Sequence, residues 1–244
     1  MASVREEILA GGNMEPVVRV DDTVRRVAGP WTPAVHGLLR RCEDAGIGEA
    51  PRVLGIDETG REILTFIPGR VMTGLSPAAQ WSPNLLRAAG ALLRRLHDAG
   101  EPLASAELTW RQPRREPAEV VCHNDFAPYN LIVDGGRLVG VIDFDMASPG
   151  PRLWDLAYLA YRLVPYAEDA EGFDADRDGK RTERLTELLA AYGIDRSHDD
   201  VRQVAALRLD ALAEFTEDQA AATGRSDLAE HAAMYRRDAD RLRH

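Results

Sequence analysis

Short apolar runs dominate the first part of the chain and helical stripes dominate the rest. Val17-Val18-Arg19-Val20 and Thr23-Val24-Arg25-Arg26-Val27 are β-branched runs separated by Asp21-Asp22, which predicts a tight hairpin. In Trp31-Thr32-Pro33 the threonine stands at a capping position and the proline at a first helical position. Val35, Leu38, Leu39 and Cys42 follow at helical spacing, and Gly46 ends the stripe. A second hairpin is expected from Arg52 to Ile67, turning at Asp57-Glu58-Thr59-Gly60 and stopped by Pro68-Gly69.

Beyond that point Ser82-Pro83 opens a helix striped by Leu85, Leu86, Ala89, Leu92, Leu93 and Leu96, closing near Gly100. Four more amphipathic helices are predicted, at roughly 152–163, 182–192, 199–223 and 226–242. The polar stretch from Glu168 to Lys180 reads as an exposed loop. The fold class is α+β, with a small β-rich N-terminal lobe over 1–67 and a larger, mostly helical C-terminal lobe over 68–244, hinged near 65–69. Ligand clefts favour such junctions.

With 244 residues there is room for one large domain or two lobes, and 45% apolar with 29% charged residues is a globular balance. Forty acidic against thirty basic side chains give a net charge of −10. That leaves no basic face for nucleic acid. It suits a cationic small molecule, although acidity also serves ordinary solubility. No apolar run is long enough for a membrane span, and the opening MASVREEILA carries two glutamates where a secretory signal is apolar. Cys42 and Cys122 cannot build a disulfide framework, and Cys122 lies in an apolar run, so buried reduced thiols and a cytoplasmic location are expected.

Chemistry concentrates between His123 and Asp155. The run Val120-Val121-Cys122 delivers His123, and a loop then holds Asp125 and, five positions on, Asn130. Pro128 excludes a regular helix through that loop. Leu131-Ile132-Val133 and Leu138 to Ile142 form a hairpin across Asp134-Gly135-Gly136, ending on Asp143-Phe144-Asp145. Asp125, Asn130 and Asp143 therefore converge at one end of a short hairpin. Alone, each would cap a turn or finish a strand. Together, three hard oxygen donors suit a Mg²⁺–phosphate site. Phosphoryl transfer needs charge neutralisation and in-line positioning. A carboxylate and a carboxamide can hold the metal, and a second carboxylate can take the acceptor proton.

His123-x-Asp125-x-x-x-x-Asn130 followed by Ile142-Asp143-Phe144-Asp145 resembles the catalytic loop and metal motif of the phosphotransferase enzyme family. That superfamily of small-molecule kinases includes aminoglycoside phosphotransferases and choline kinase-like enzymes, and is distantly related to protein kinases. Leu64 to Gly69 is similar to the family's interlobe linker, Leu96-His97 to part of its preceding helix, and Pro149 to Ala157 to the segment written GDPxxDLA. The resemblance runs from about 11 to 160 and implies a protein-kinase-like bilobal fold and a nucleoside triphosphate, ATP or GTP, as donor. It implies Asp125 as base, Asn130 and Asp143 as Mg²⁺ ligands, and His123 and Asp155 as braces of the loop. Asp145 either assists a second metal or faces solvent. Gly11, Gly12 and Asn13 stand where the phosphate-covering turn belongs, and Phe66 and Ile67 would offer backbone groups to the purine.

Two departures from the family pattern matter. The lysine that should hold the phosphates is missing, because the chain's single lysine is Lys180. Arg25 or Arg26 must substitute, and strand alternation favours Arg26, beside Val24 on one face. The helical glutamate that should pair with this cation is replaced by His36, with Glu43 two turns on, so the ion pair is either absent or supplied elsewhere. The expected activity is transfer of the γ-phosphoryl group to a hydroxyl of a small molecule such as an aminoglycoside or another amino alcohol, by a monomer or homodimer. Glu214, Glu217 and Asp218 on the long helix could line an anionic acceptor pocket, or simply form a solvated face. The alternative is a pseudokinase that binds nucleotide without turnover. A protein kinase is disfavoured, because Asp155 follows Asp143 by only twelve positions, which leaves no room for a peptide-docking segment.

Overall fold

The computed structural model describes residues 6–9 and 17–244. Five antiparallel strands, β1 (Glu6–Leu9), β2 (Val17–Val20), β3 (Thr23–Val27), β4 (Val53–Ile56) and β5 (Arg61–Thr65), form one sheet in the spatial order β1-β2-β3-β5-β4. The β2–β3 hairpin pairs Val20 with Thr23, so its loop is Asp21-Asp22, and Asp21 takes a left-handed φ of 52°. Short aspartate side chains tolerate that conformation. Helix α1 (Thr32–Asp44) lies between β3 and β4 in the chain. Thr32 does not cap it: the helix begins one residue earlier than expected, after Trp31, and Thr32 Oγ1 instead accepts the Gly29 N–H at 2.9 Å.

A second, three-stranded sheet joins β6 (Arg70–Val71), β8 (Leu131–Asp134) and β9 (Arg137–Val141), with β8 in the centre. The chain enters β6 through Gly69, whose φ is 144°. A Cβ there would lie 2.6 Å from Ile132 Cγ2 and 2.9 Å from the Val133 carbonyl oxygen, so only glycine lets the two backbones approach. Two further short strands, β7 (Val120–Cys122) and β10 (Ser148–Gly150), pair antiparallel.

The remaining elements are helical: α2 (Pro77–Gln80), α3 (Pro83–Gly100), α4 (Arg152–Leu163), α5 (Ala175–Asp178), α6 (Arg181–Tyr192), α7 (His198–Thr223) and α8 (Ser226–Arg243). The chain divides into two compact units. One comprises 1–74, 95–125 and 129–151 and contains every described strand; the other comprises 75–94, 126–128 and 152–244. Among the described residues no helix is long and apolar enough to cross a membrane. Neither cysteine forms a disulfide and both are buried, and burial pushes the Cys42 thiol up to about 12 despite the nearby Arg95 charge.

In the helical unit α7 starts on a reciprocal cap. Ser197 Oγ accepts the Asp200 N–H at 3.0 Å, and Asp200 Oδ2 accepts the Ser197 N–H at 3.3 Å. The stretch 168–180 is not the open loop that its charge suggests. Asp174 caps α5 by accepting the Asp176 and Arg177 N–H groups, and Asp178 is buried. The reason lies in α6. The Arg184 guanidinium, fully buried, donates to the carbonyls of Trp81 at 2.7 Å, Asp178 at 2.8 Å and Leu163 at 2.8 Å. Five N–H donors on one plane satisfy three chain ends that no helix partner reaches. Arg184→Met keeps the bulk but orphans those carbonyls. It should lower unfolding free energy in urea by ~3 kcal/mol, whereas a loss under ~0.5 kcal/mol would deny the guanidinium this role.

Candidate active site

Two strand ends and one loop assemble the site. β3 and β5 pair so that Arg26 lies directly across from Glu62, with Val24 across from Leu64 on the same face. Opposite charges at facing positions of an antiparallel pair attract. Arg26 Nε donates to Glu62 Oε1 in a short contact, Nη1 donates to Asp143 Oδ1 at 3.1 Å, and Nη2 to Asp145 Oδ1 at 2.7 Å. Arg25, on the other face, pairs with Asp57 at 3.6 Å. The cation anticipated from sequence is therefore ringed by three carboxylates.

The partner of this cation comes from a neighbouring strand rather than from α1. Glu62 is buried, and its second oxygen, Oε2, accepts a 2.8 Å hydrogen bond from His36 Nε2 on α1. Helix and strand thus share the pairing role, and Glu43 stays exposed. Sequence reasoning missed Glu62 because it searched the helix. The signal lay in the register, since Glu62 is a charge at an inward position between Arg61 and Ile63. Burial pushes the Glu62 carboxyl up, but the His36 hydrogen bond and the Arg26 charge outweigh it and hold the group below its ordinary value.

Asp145 is held on three sides. Besides Arg26, it faces Arg111 Nη1 at 3.5 Å and takes a hydrogen bond from the Trp31 indole. Arg111 stacks over the Trp31 ring at 4.5 Å. Gly29 makes room for that indole: a Cβ there would meet the ring at 2.5 Å. Burial pushes the Asp145 carboxyl up and Asp143 and Glu62 push the same way, against the Arg26 charge. Asp145 therefore does not simply face solvent.

The loop that carries Asp125 is tied to the end of β9. The Ile142 N–H donates to the Asn130 carbonyl at 2.9 Å, extending the β8–β9 ladder by one pair and setting Asp143 just beyond it. Asp143 adopts a left-handed φ of 64° and leaves its carboxylate half exposed. Asn124, at φ 61°, secures the other side by donating Nδ2 to the Met146 carbonyl at 2.9 Å and to Ser148 Oγ at 2.8 Å. Non-glycine residues in this region are strained and persist where surroundings over-determine them.

His123 braces the loop. Its Nδ1 accepts the Asp125 N–H at 3.2 Å and its Nε2 faces the Ile142 carbonyl oxygen at 3.1 Å. Only a neutral imidazole protonated at Nε2 satisfies both contacts. Asn130 Nδ2 donates to the Asp125 carbonyl and to Asp125 Oδ2, both at 2.9 Å. Spending both amide hydrogens on Asp125 reserves the carboxamide oxygen for another partner. The Asp125 side chain also receives the Tyr129 hydroxyl on Oδ1.

The donor set suits a divalent cation. Asp143 and the Asn130 carboxamide offer hard oxygens. Glu62, Asp143 and Asp145 carry three negative charges against the two of Arg26 and Arg111. Net anionic character at a surface-accessible carboxylate is the chemistry a Mg²⁺ ion answers.

The other anticipated residues are placed as follows. Gly11, Gly12 and Asn13 lie outside the described residues. The Phe66 N–H is donated to the Asp22 carbonyl at 2.8 Å and the Phe66 ring is covered by the Arg19 guanidinium at 3.8 Å. Phe66 and Ile67 also border a cavity of about 490 Å³ walled in part by Ile47, Ala50, Arg52 and Val139; Arg26 and Asp143 do not line it. Asp155 is fully buried in the first turn of α4. Glu214, Glu217 and Asp218 are exposed on α7, and Glu217 is engaged by Arg236 of α8 at 2.6 and 2.8 Å.

Residues 100–207 match the model of the phosphotransferase enzyme family. The trifolitoxin immunity protein of Rhizobium leguminosarum bv. trifolii is 34% identical over 200 residues, covering 78% of this chain and 75% of that protein. An N-acetylmuramate/N-acetylglucosamine kinase of Caulobacter vibrioides is 27% identical over 172 residues, 66% of this chain and 44% of that one. Among solved structures, an ethanolamine kinase of Plasmodium vivax superposes with a TM-score of 0.70 over 98% of this chain and 82% of its own, at 14% identity, a likeness of fold. The chain belongs to the phosphotransferase enzyme family. It is a small-molecule kinase with a protein-kinase-like α+β fold.

Because Glu62 is held below its ordinary pKa, its contribution to stability is complete above the unfolded carboxylate's value and is lost as pH falls through the folded one. Glu62→Gln should cost ~2 kcal/mol at neutral pH, where it takes one of three carboxylates from the part-buried Arg26. The gap to wild type in urea melts should narrow steadily in acid. A gap independent of pH would show that the Glu62 charge is not what binds Arg26.

Proposed function

We propose that the chain catalyses Mg²⁺-dependent transfer of the γ-phosphoryl group of ATP or GTP to a hydroxyl of a small molecule in the cytoplasm. The observation that carries this reading is the joining of Asp125, Asn130 and Asp143 at one end of the β8–β9 ladder, with Arg26 reaching the same Asp143. In this reading 1–67 forms the nucleotide-binding lobe and 68–244 the catalytic and acceptor-binding lobe.

Asn130 Oδ1 and the Asp143 carboxylate would hold Mg²⁺, which when bound neutralises charge on the transferred phosphoryl group. Arg26, anchored through Nε by Glu62, presents two terminal nitrogens that can move from carboxylates to the α- and β-phosphates. Its planar fork does by two-point contact what a lysine does as a point charge. Gly11, Gly12 and Asn13 would cover the phosphates. With the Phe66 N–H already used, the purine edge is left to the Phe66 carbonyl and the backbone of Ile67. Asp125, oriented by Asn130 and by the His123 brace, takes the acceptor proton, and Asp155 supports the loop.

The acceptor is an amino alcohol or aminoglycoside in this reading, with Glu214 and Asp218 supplying an anionic approach for ammonium groups and Glu217, already paired with Arg236, adding to it only if that pair opens. The relatives support a small hydroxylated acceptor: one acts on the acetylated, uncharged-nitrogen sugars N-acetylmuramate and N-acetylglucosamine, and the structural neighbour on ethanolamine, an amino alcohol. The immunity protein at 34% identity favours a compound disarmed by the added phosphate. The pseudokinase alternative arose from a missing lysine and a missing helical glutamate. The Arg26–Glu62 pair removes its motive.

Purified protein with Mg²⁺, ATP or GTP and a panel of aminoglycosides, ethanolamine and N-acetylglucosamine tests the reading. Asp125→Asn should lower kcat by roughly 10²–10⁴-fold while nucleotide affinity stays near wild type. Asp143→Ala should lose the Mg²⁺-dependent part of the nucleotide thermal shift. Full transfer by Asp125→Asn would remove Asp125 from the chemistry. Arg26→Lys should weaken nucleotide binding, and Arg26→Met more so.

A further inference from the structure

Tyr129 has no role in the reading so far. It is the central residue of the short 3₁₀ turn Pro128–Asn130, with a fixed-φ proline before it and a twice-bonded asparagine after it. Its backbone is therefore held while its side chain, 37% exposed, reaches back along the turn. There the phenol hydroxyl donates to Asp125 Oδ1, while Oδ2 of the same carboxylate takes the Asn130 amide.

A phenol O–H and an alcohol O–H are the same kind of donor to a carboxylate, and an acceptor must come within hydrogen-bond reach of its base. We propose that Tyr129 gates the acceptor site: its hydroxyl occupies the position on Asp125 that the acceptor alcohol takes, and an acceptor binds productively by displacing it. The inference rests on Asp125 being the base. With the phenol in place a stray water meets a base already engaged, which limits wasteful hydrolysis of the donor. An acceptor gains access only if its other contacts offset the cost of breaking one charge-assisted hydrogen bond.

The molecule holds a contrasting pair of the same chemistry. Tyr161 donates to Asp238 Oδ2 at 2.6 Å, and both residues are fully buried, with the carboxylate also taking the Glu168 N–H at 3.0 Å. Burial pushes the Tyr161 phenol up, Asp238 reinforces that shift, and no ligand can reach the pair. That contact is a strut. The Tyr129 contact is made at the surface, where water can replace each partner, so it can open.

Tyr129→Phe removes the hydroxyl and keeps the ring. In the full chain it should raise acceptor-independent hydrolysis of Mg·ATP or Mg·GTP at least ~3-fold and lower KM for ethanolamine, N-acetylglucosamine or an aminoglycoside by a similar factor. The kcat and the nucleotide-induced thermal shift should stay near wild type. Adding Asp125→Asn to Tyr129→Phe should erase the gain in hydrolysis. Unchanged hydrolysis and KM, a fall in kcat, or a gain that survives Asp125→Asn would each overturn the gate and leave the kinase reading standing. If neither nucleotide is turned over by any form, or transfer survives Asp125→Asn in an otherwise wild-type chain, the kinase reading fails and the gate with it. A readout without turnover is the acceptor-induced thermal shift, which should develop at about 3-fold lower acceptor concentration in Tyr129→Phe. An unchanged concentration dependence would overturn the gate.

Discussion

One guanidinium organises the strand-bearing unit. Arg26 faces Glu62, Asp143 and Asp145, residues that arrive from the neighbouring strand and from the end of the β9 hairpin. Taken out of water, a cation in such a place is costly unless every donor is met, and three carboxylates meet it. Lysine could not do this, because its three donors leave one nitrogen, whereas arginine spreads five over a plane. The arrangement fixes where Asp143 sits, and it leaves the three carboxylates one charge in excess of Arg26 and Arg111.

A chain that lacks the lysine and the helical glutamate of the family pattern still pairs a cation with a carboxylate here, the cation on β3 and the acid on β5. The helix keeps a role through His36, which donates to the far oxygen of Glu62. A longer, planar cation and a partner directly across the strand pair are mutually consistent changes. His123 is placed by its neighbours: an N–H on one nitrogen and a carbonyl on the other suit a neutral ring that ties the loop to the end of β9.

Charge in the helical unit is largely spent on structure. Glu217 meets Arg236, Glu168 meets Arg237, and Asp210 meets Arg243. Such exposed pairs contribute little stability individually. They do mean that an acidic helix face cannot be read as a cation pocket from composition alone. Arg184 is the opposite case, a buried cation whose partners are backbone carbonyls instead of acids.

Periodicity alone located the long helices, the two N-terminal hairpins and the β8–β9 hairpin, because each is a local pattern enforced by burial of one face. The spacing of Asp125, Asn130 and Asp143 was legible for the same reason: hairpin ends are near in sequence and in space. The replacement of the ion-pair partner by Glu62 was not, since it depends on strand register between segments 36 residues apart. Nor was the helix and buried aspartate inside 168–180, which exist because Arg184 needs acceptors. Local propensity and spacing are written along the chain. Which donor finds which acceptor across the fold is decided only when desolvation makes an unmet charge too costly to keep.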